Sequence, residues 1–250
     1  MALALPWATS VVAWSPDTQV GIAQDAASLA PVDLQRQIEK HPAALRQGAL
    51  APFRDSAAEK HYWHADGVGD LDHTTFREVQ DTIDAIRTHE PFVHIVERLG
   101  RVSHWLADAN NPLNAAGEDP DEARYYADYL RYAQSASPRF SRVFYAAEPN
   151  VASDREMRLL VYHALRRGRQ LYPFVGSEYR RIDFAAGRGR FDDRSTAFGV
   201  AAVAYNRAVT DVARIFRYVW IASGGDGGPS PIWTRENGLI LLSPGGAKAP

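Results

Sequence analysis

From Trp14 onward, apolar residues recur at intervals of three and four, and alternating β-branched runs are few. That period places one side of each segment against a core, so it predicts helices and an all-α fold. Ser15-Pro16-Asp17 reads as a helix start, with proline near the first turn and Val20, Ile22, Ala23 and Leu29 continuing the apolar side. Further helices are expected from about Val32 to Arg46, from Thr74 to about Thr88, from Pro91 to Asn110 and from Asp119-Pro120 to about Gln134. An Arg-rich amphipathic helix should run from Ser153 to Gln170, and Ser195 should cap a long apolar helix from Thr196 to about Ala222.

Between these segments, "RQGALAPFRDSAAEKHYWHADGVGDLDH" is punctuated by Gly, Pro and Asp and reads as loop. It nevertheless carries Tyr62, Trp63 and two histidines, which suits a packed or ligand-facing connection. "SGGDGGPSP" reads as a second loop, and "IWTRENGLILLS" as a terminal strand or docked strip. With no repeat, heptad array or long polar linker, the chain divides most simply into residues 1–13, a helical domain over 14–222, and a loop and extension over 223–250.

Composition changes this picture little: 250 residues, 46% hydrophobic and 23% charged, is ordinary for a globular chain. A formal net charge of −2 supplies no general cationic field and gives no evidence for nucleic-acid binding. The absence of cysteine matters more, because it leaves His, Asp, Glu, amides and main-chain groups as the only metal ligands. The run "MALALPWATSVVA" ends in small residues like a signal-peptidase site, although it lacks a basic start and is too short to span a bilayer. Cleavage there makes Trp14 the mature N-terminus and the protein secreted or periplasmic.

His104 and Asp108 stand one helical turn apart and therefore share a face on which two side chains can hold one cation. The same pattern also describes a solvated polar face, opposite Phe92, Ile95, Leu99, Val102 and Leu106 and flanked by Glu97 and Arg101. Asp55 and His61 in the punctuated connection would complete an oxygen-and-imidazole set suited to zinc. His64 and His73 read as ordinary loop histidines, the arginines from Arg155 to Arg169 as a solvated face, and Tyr125, Tyr126, Tyr129 and Tyr132 as core packing. No G-x-S-x-G elbow, P-loop, Rossmann glycine motif or H-E-x-x-H helix is present.

"LGRVSHWLADANNPLNAAG" resembles the LGxxxHxxGDxxQPxHA helix of the zinc-dependent phospholipase C and single-strand nuclease superfamily. "GALAPFRDSAAEKHYW" resembles its GAxxPD…H loop, and "WSPDTQVGIAQDAA" its mature start. The matches keep the family order from Trp14 to Asp128, and the later helix reaching Trp220 resembles a family core helix. The resemblance implies a secreted, all-α phosphodiester hydrolase with three clustered zinc ions. It assigns Asp55, His61, His104 and Asp108 to one zinc site, with Asp55 also guiding a proton. The amino group and carbonyl of Trp14 would serve a second site, where Gln19 replaces a histidine. At the third site Asn114 and Arg124 replace histidines and Asp128 alone keeps a carboxylate, so Arg124 would pair with Asp128 and exclude the metal. One ion rather than three is expected. Two roles stay open: hydrolysis of a phospholipid or other phosphodiester by a reduced zinc centre, and a non-catalytic binding or scaffold module with at most one structural zinc.

Overall fold

The computed structural model describes residues 14–55, 57–146 and 150–228, together with the main chain of 239–242; of Asp55 only the main chain is described. The stretch 1–13, with its signal-peptide reading, lies outside them.

Helix α1 (Pro16–Ala27) starts where expected: the Ser15 hydroxyl accepts from the Thr18 N–H, and Pro16 occupies the first turn. The helix expected from Val32 to Arg46 is two, α2 (Val32–Lys40) and α3 (Pro42–Leu50). Pro42 explains the break, since it disfavours helical geometry at His41 and starts a new helix itself. The connection that follows contains a short α4 (Pro52–Asp55) and a 3-10 turn (Ala58–His61). Then come α5 (Leu71–Arg87), α6 (Phe92–Ala109), the four-residue α7 (Pro112–Ala115) and α8 (Glu122–Ala136).

A short strand not expected from the sequence, β1 (Arg142–Tyr145), pairs antiparallel with β2 (Leu239–Leu242) inside the anticipated terminal strip. Helix α9 (Asp154–Arg181) runs eleven residues past its expected end at Gln170 and contains Pro173. Burial of Tyr172, Val175, Gly176 and Tyr179 on both sides of Pro173 offsets the lost main-chain hydrogen bond. Helix α10 (Thr196–Ala222) is capped by Ser195, whose hydroxyl accepts from the Phe198 N–H. No helix among the described residues is long and apolar enough to cross a membrane.

The second half of α6 is the axis of the core. Every residue from Val102 through Ala116 is buried, so its polar side chains have no solvated face at all. Helix α6 packs against α1, α3, α5, α9 and α10. Its approach to α3 is the tightest, and it depends on two glycines. A Cβ on Gly48 would stand 1.8 Å from the Glu97 carbonyl oxygen, and one on Gly100 would stand 2.3 Å from that of Leu45. Both obstacles are main chain, which cannot swing aside. Sequence spacing places Gly100 beside His104, and the crossing shows its purpose: it brings the C-terminal end of α3 within reach of that imidazole.

Gly48→Ala is therefore expected to destabilise the fold by about 2 kcal/mol, the overpacking cost exceeding the gain in helix propensity. Thermal denaturation should show a midpoint lower by ~4–8 °C for a chain of this size. An unchanged midpoint would mean that the two helices separate without cost.

Candidate metal centre

Three segments meet at the last turns of α6. His104 and Asp108 come from α6 itself, His61 from the end of the 3-10 turn and Gln19 from α1. His104 and Asp108 have no exposed surface, and His61 has 3%. The solvated-face reading of His104 and Asp108 is thus corrected: the apolar residues opposite them are not the only buried side, because the second half of α6 is enclosed all round.

The ligand atoms converge. His61 Nδ1 lies 2.7 Å from Asp108 Oδ2, His104 Nε2 lies 3.3 Å from the same oxygen, and the two ring nitrogens are 3.3 Å apart. Tetrahedral zinc with bonds of about 2.0–2.1 Å separates its ligand atoms by about 3.3–3.4 Å. Two of the three edges match that value, and the third is shortened by a direct hydrogen bond. This buried group can hold a metal ion.

The outer ring positions reinforce the fit. His104 Nδ1 lies 2.8 Å from the main-chain oxygen of Ala49, which only accepts, so that nitrogen carries the proton and Nε2 faces the cluster as a ligand. His61 likewise bonds the Pro52 carbonyl through its ring. The imidazoles are boxed by aromatic rings: Phe53 meets His104 edge-on at 4.7 Å, and Trp105 lies 5.0 Å from His61.

The electrostatics follow from this enclosure. Burial pulls the His61 pKa down, but the hydrogen bond and charge of Asp108 outweigh it, and the net shift is upward. Burial pushes Asp108 up, yet His104 and His61 together hold its carboxyl below the ordinary range.

The second oxygen of Asp108 is already engaged. Gln19 Nε2 donates to Asp108 Oδ1 at 2.7 Å, while Gln19 Oε1 is buried without a hydrogen-bond partner. An amide N–H neutralises the carboxylate only partly, but it occupies the oxygen that His61 and His104 leave open. Trp14 is buried nearby, its indole donating to the Ala107 carbonyl at 2.9 Å. In this chain its own nitrogen is a peptide nitrogen joined to Ala13.

Asp55 ends α4 a short way before His61, and its side chain lies outside the described residues. Asn114 is fully buried in α7, with its Nδ2 unpartnered and its main-chain oxygen accepting from the Trp63 N–H at 3.0 Å. Arg169 fastens the same region by donating from Nε to Ala115 O at 2.9 Å and lying 4.5 Å over the Trp63 ring.

The expected pairing of Arg124 with Asp128 does not occur. Arg124 is exposed, pairs with Asp121 at 3.4 Å and stacks 3.4 Å over Phe184. Asp128 accepts from the Tyr179 hydroxyl and the Gly187 N–H, both at 2.7 Å. Burial of Tyr125, Tyr129 and Tyr132, as expected for these residues, sets the phase of α8 and turns Glu122 and Tyr126 inward. Tyr126 lies electrostatically between Asp108 and Glu122: burial raises its pKa first, and both carboxylates raise it further. Its hydroxyl lies 3.5 Å from Asn114 Oδ1. Sequence reasoning placed Tyr126 in the core without a role and passed over Glu122, although their i, i+4 spacing and the phase of the buried tyrosines carried the signal.

Glu122 is pushed up to about 7, chiefly by burial, with the Tyr172 hydroxyl opposing and the charges of Asp119 and Glu118 adding to the rise. A carboxyl raised above its ordinary 4.5 stabilises the fold most below that value. The contribution is lost as pH rises through the folded value, where a charge must stay buried. Glu122→Gln, which keeps the acceptor for Tyr172, should accordingly raise the thermal midpoint at pH 8 by ~2 °C, corresponding to about 1 kcal/mol after allowing for partial exposure. At pH 4 the difference should vanish. Equal midpoints at pH 8 would show that Glu122 ionises freely in the fold.

Comparison of the sequence with protein-family models and with curated proteins finds no match. Among solved structures, the fold is similar to "Alpha Toxin from Clostridium Absonum", with a TM-score of 0.63 and 14% identity over 88% of this chain and 66% of that one. It is similar too to the alpha-toxin of Clostridium perfringens avian strain SWCP, with a TM-score of 0.63 and 12% identity over 87% of this chain and 65% of that one. The chain thus spans just under two thirds of the length of each toxin. At such identity the likeness establishes the fold, and the all-α architecture expected from the sequence is present.

Proposed function

We propose that the chain is a secreted protein with a phospholipase C-like fold whose centre is reduced to one zinc ion. The ion acts as an internal cross-link, and the protein serves as a binding or scaffold module. The observation that carries this reading is the 2.7 Å hydrogen bond from Gln19 Nε2 to Asp108 Oδ1. A carboxylate that bridges two metals offers one oxygen to each, and here one of the two oxygens faces an amide donor. His61, His104 and Asp108 are the residues that would hold the single ion. Their nearly complete burial shields the ion from solvent, and Asp55, the fourth ligand that the resemblance assigns, would close the coordination as a structural site requires. Zinc bound there would supply positive charge between α6 and the 3-10 turn and would replace protons on the cluster. Asn114 and Tyr126 are neutral where the resemblance places, or the structure brings near, further ligands, so neither recruits another cation. Export rests on the small-residue pattern at Val11-Val12-Ala13.

One observation favours the other reading, hydrolysis of a phospholipid or other phosphodiester. Glu122, pushed up to about 7 chiefly by burial, acts with Asp108 on the Tyr126 hydroxyl, and an acid so raised suits proton donation near neutral pH. In that reading Asp55 would guide a proton, and a zinc held by His61, His104 and Asp108 would supply the activation of water.

Elemental analysis of the chain matured to begin at Trp14 is expected to give about one zinc per chain, lost in His104→Ala, with the metal raising the thermal midpoint by several degrees. Hydrolysis of bis(p-nitrophenyl) phosphate and of p-nitrophenylphosphorylcholine should stay at the buffer rate. Gln19→His should raise the zinc content towards two. Two or more ions in the unmodified chain, with hydrolysis abolished by His104→Ala, would reject the scaffold reading for the hydrolytic one, and absence of zinc would reject both.

A further inference from the structure

Among the described residues, every arginine and lysine lies in a helix, a 3-10 turn or a strand except Arg188, Arg190 and Arg194, all exposed in the connection between α9 and α10. Regular structure ties up the main chain that a protease must draw into its cleft in extended form, so an arginine-directed cut is confined to these residues. Two of them are tied as well. The Arg190 N–H donates to the Gly187 carbonyl at 3.0 Å, and the Arg194 N–H to Asp192 Oδ1 at 3.0 Å. Arg188 and Gly189 make no hydrogen bond among the described residues. Gly189 takes left-handed backbone at φ 83°, and a Cβ placed on it would meet nothing within 4 Å. The Arg188–Gly189 bond thus stands clear of the fold, with glycine on either side of the arginine.

Both ends of this turn are fastened. The Gly187 N–H donates to Asp128 Oδ2 at 2.7 Å, an oxygen that also accepts from the Tyr179 hydroxyl. Phe191 is buried against Tyr132 and Tyr179, and its N–H donates to the Gly187 carbonyl at 2.9 Å. Upstream, Asp183 and Phe184 both take left-handed backbone, at φ 51° and 55°, which for a phenylalanine is strained. Phe184 is kept there by its N–H bond to the Tyr179 carbonyl at 2.8 Å and by Arg124, 3.4 Å over its ring. Arg124 and Asp128, the positions that the resemblance gives to a third metal, fasten this connection instead. Release at Asp128 frees the turn, and relief of the left-handed pair favours the open form.

We propose that the Arg188–Gly189 bond is a site of limited proteolysis by an arginine-specific protease, and that the Asp128 contact sets the rate of cutting. Water adds across the bond, leaving a carboxylate on Arg188 and an amino group on Gly189. Cleavage goes through the open turn, so its rate follows the population that has lost the hydrogen bond from Gly187 to Asp128. Helix α9 lies before the cut and α10 after it, and the two pack on each other and on α6. The product is accordingly a two-fragment protein that stays assembled. His61, His104 and Asp108 all belong to the first fragment, so the cut leaves the candidate metal centre in place.

Brief digestion of the folded full chain with trypsin, read by mass spectrometry of the fragments, tests the assignment. The first cut between residues 14 and 228 should fall after Arg188, and the two fragments should co-elute in gel filtration until denatured. Arg188→Gln, at a side chain with no partner among the described residues, should slow cutting of the connection by about tenfold or more with the thermal midpoint unchanged. Asp128→Asn, which removes the charge from the hold on Gly187, should speed cutting after Arg188 by about tenfold while other sites keep their rates. No cut, a first cut elsewhere in that range, or undiminished cutting of Arg188→Gln would overturn the site. An unchanged rate in Asp128→Asn, or acceleration at every site alike, would overturn the control by Asp128. Fragments that part without denaturant would overturn the assembled product.

Discussion

A carboxylate with no exposed surface, Asp108, sits in the last turn of α6, whose second half is buried on every side. Removing one partner from a buried charged group of this kind costs about 3–5 kcal/mol, so its surroundings are tightly constrained. Asp108 is met by His61 on one oxygen, by Gln19 on the other and by His104 one turn earlier. Those partners come from the 3-10 turn, from α1 and from α6, segments far apart in the chain. Tying them to one carboxylate fixes where α1 lies on α6 and where the long connection after α3 must pass. The glycine crossing of α3 on α6 belongs to the same arrangement. Without the close approach at Gly48 and Gly100, the Ala49 carbonyl would not reach His104 Nδ1 to orient its other nitrogen.

A metal ion and a set of protons satisfy such a carboxylate by the same means, positive charge placed at short range. The cluster is built so that either serves. In the absence of an ion, the raised His61 and the lowered Asp108 form a charged pair, and Gln19 supplies a third donor. Gln19 sets a hydrogen-bond donor against Asp108 Oδ1, and an ion at that oxygen would have to dislodge it, so the same contact that stabilises the metal-free core opposes a second cation there.

The helical fold was legible because a 3.6-residue apolar period survives in nearly every long segment. It failed at two prolines, in opposite directions. Pro42 broke a helix that the apolar spacing ran through, whereas Pro173 did not end α9, because Tyr172, Val175, Gly176 and Tyr179 continued its buried side. Strand β1 escaped notice because its partner lies almost a hundred residues later, and four residues carry little periodicity alone. At the site, His61, His104 and Asp108 were legible from type and spacing, while their burial was not: a polar stripe on an amphipathic helix looks the same whether water or a second polar cluster faces it. Arg124 and Asp128 were misplaced because a motif match across a loop of uncertain length leaves the phase of the next helix undetermined. Tyr125, Tyr129 and Tyr132 decide that phase, and they turn Glu122 and Tyr126 inward instead.

The C-terminal end of α6 explains why cations gather on both of its sides. A helix C-terminus carries partial negative charge, which makes it a poor place for carboxylates. Yet Asp108 lies in the last turn, and the Asn110 side chain that caps the helix donates to the buried Asp211 of α10 at 2.9 Å. Two buried acids beside an unfavourable dipole need positive partners. On one side that partner is the His61 and His104 pair, or an ion between them. On the other it is Arg167, which reaches both Asp211 and Asn110 from α9. The candidate metal centre and the Arg167–Asp211 pair are thus two answers to one electrostatic demand. They differ in what each leaves over. The first ends in balance, with both oxygens of Asp108 engaged by donors from the chain, whereas the second leaves the Arg167 Nε–H buried without an acceptor.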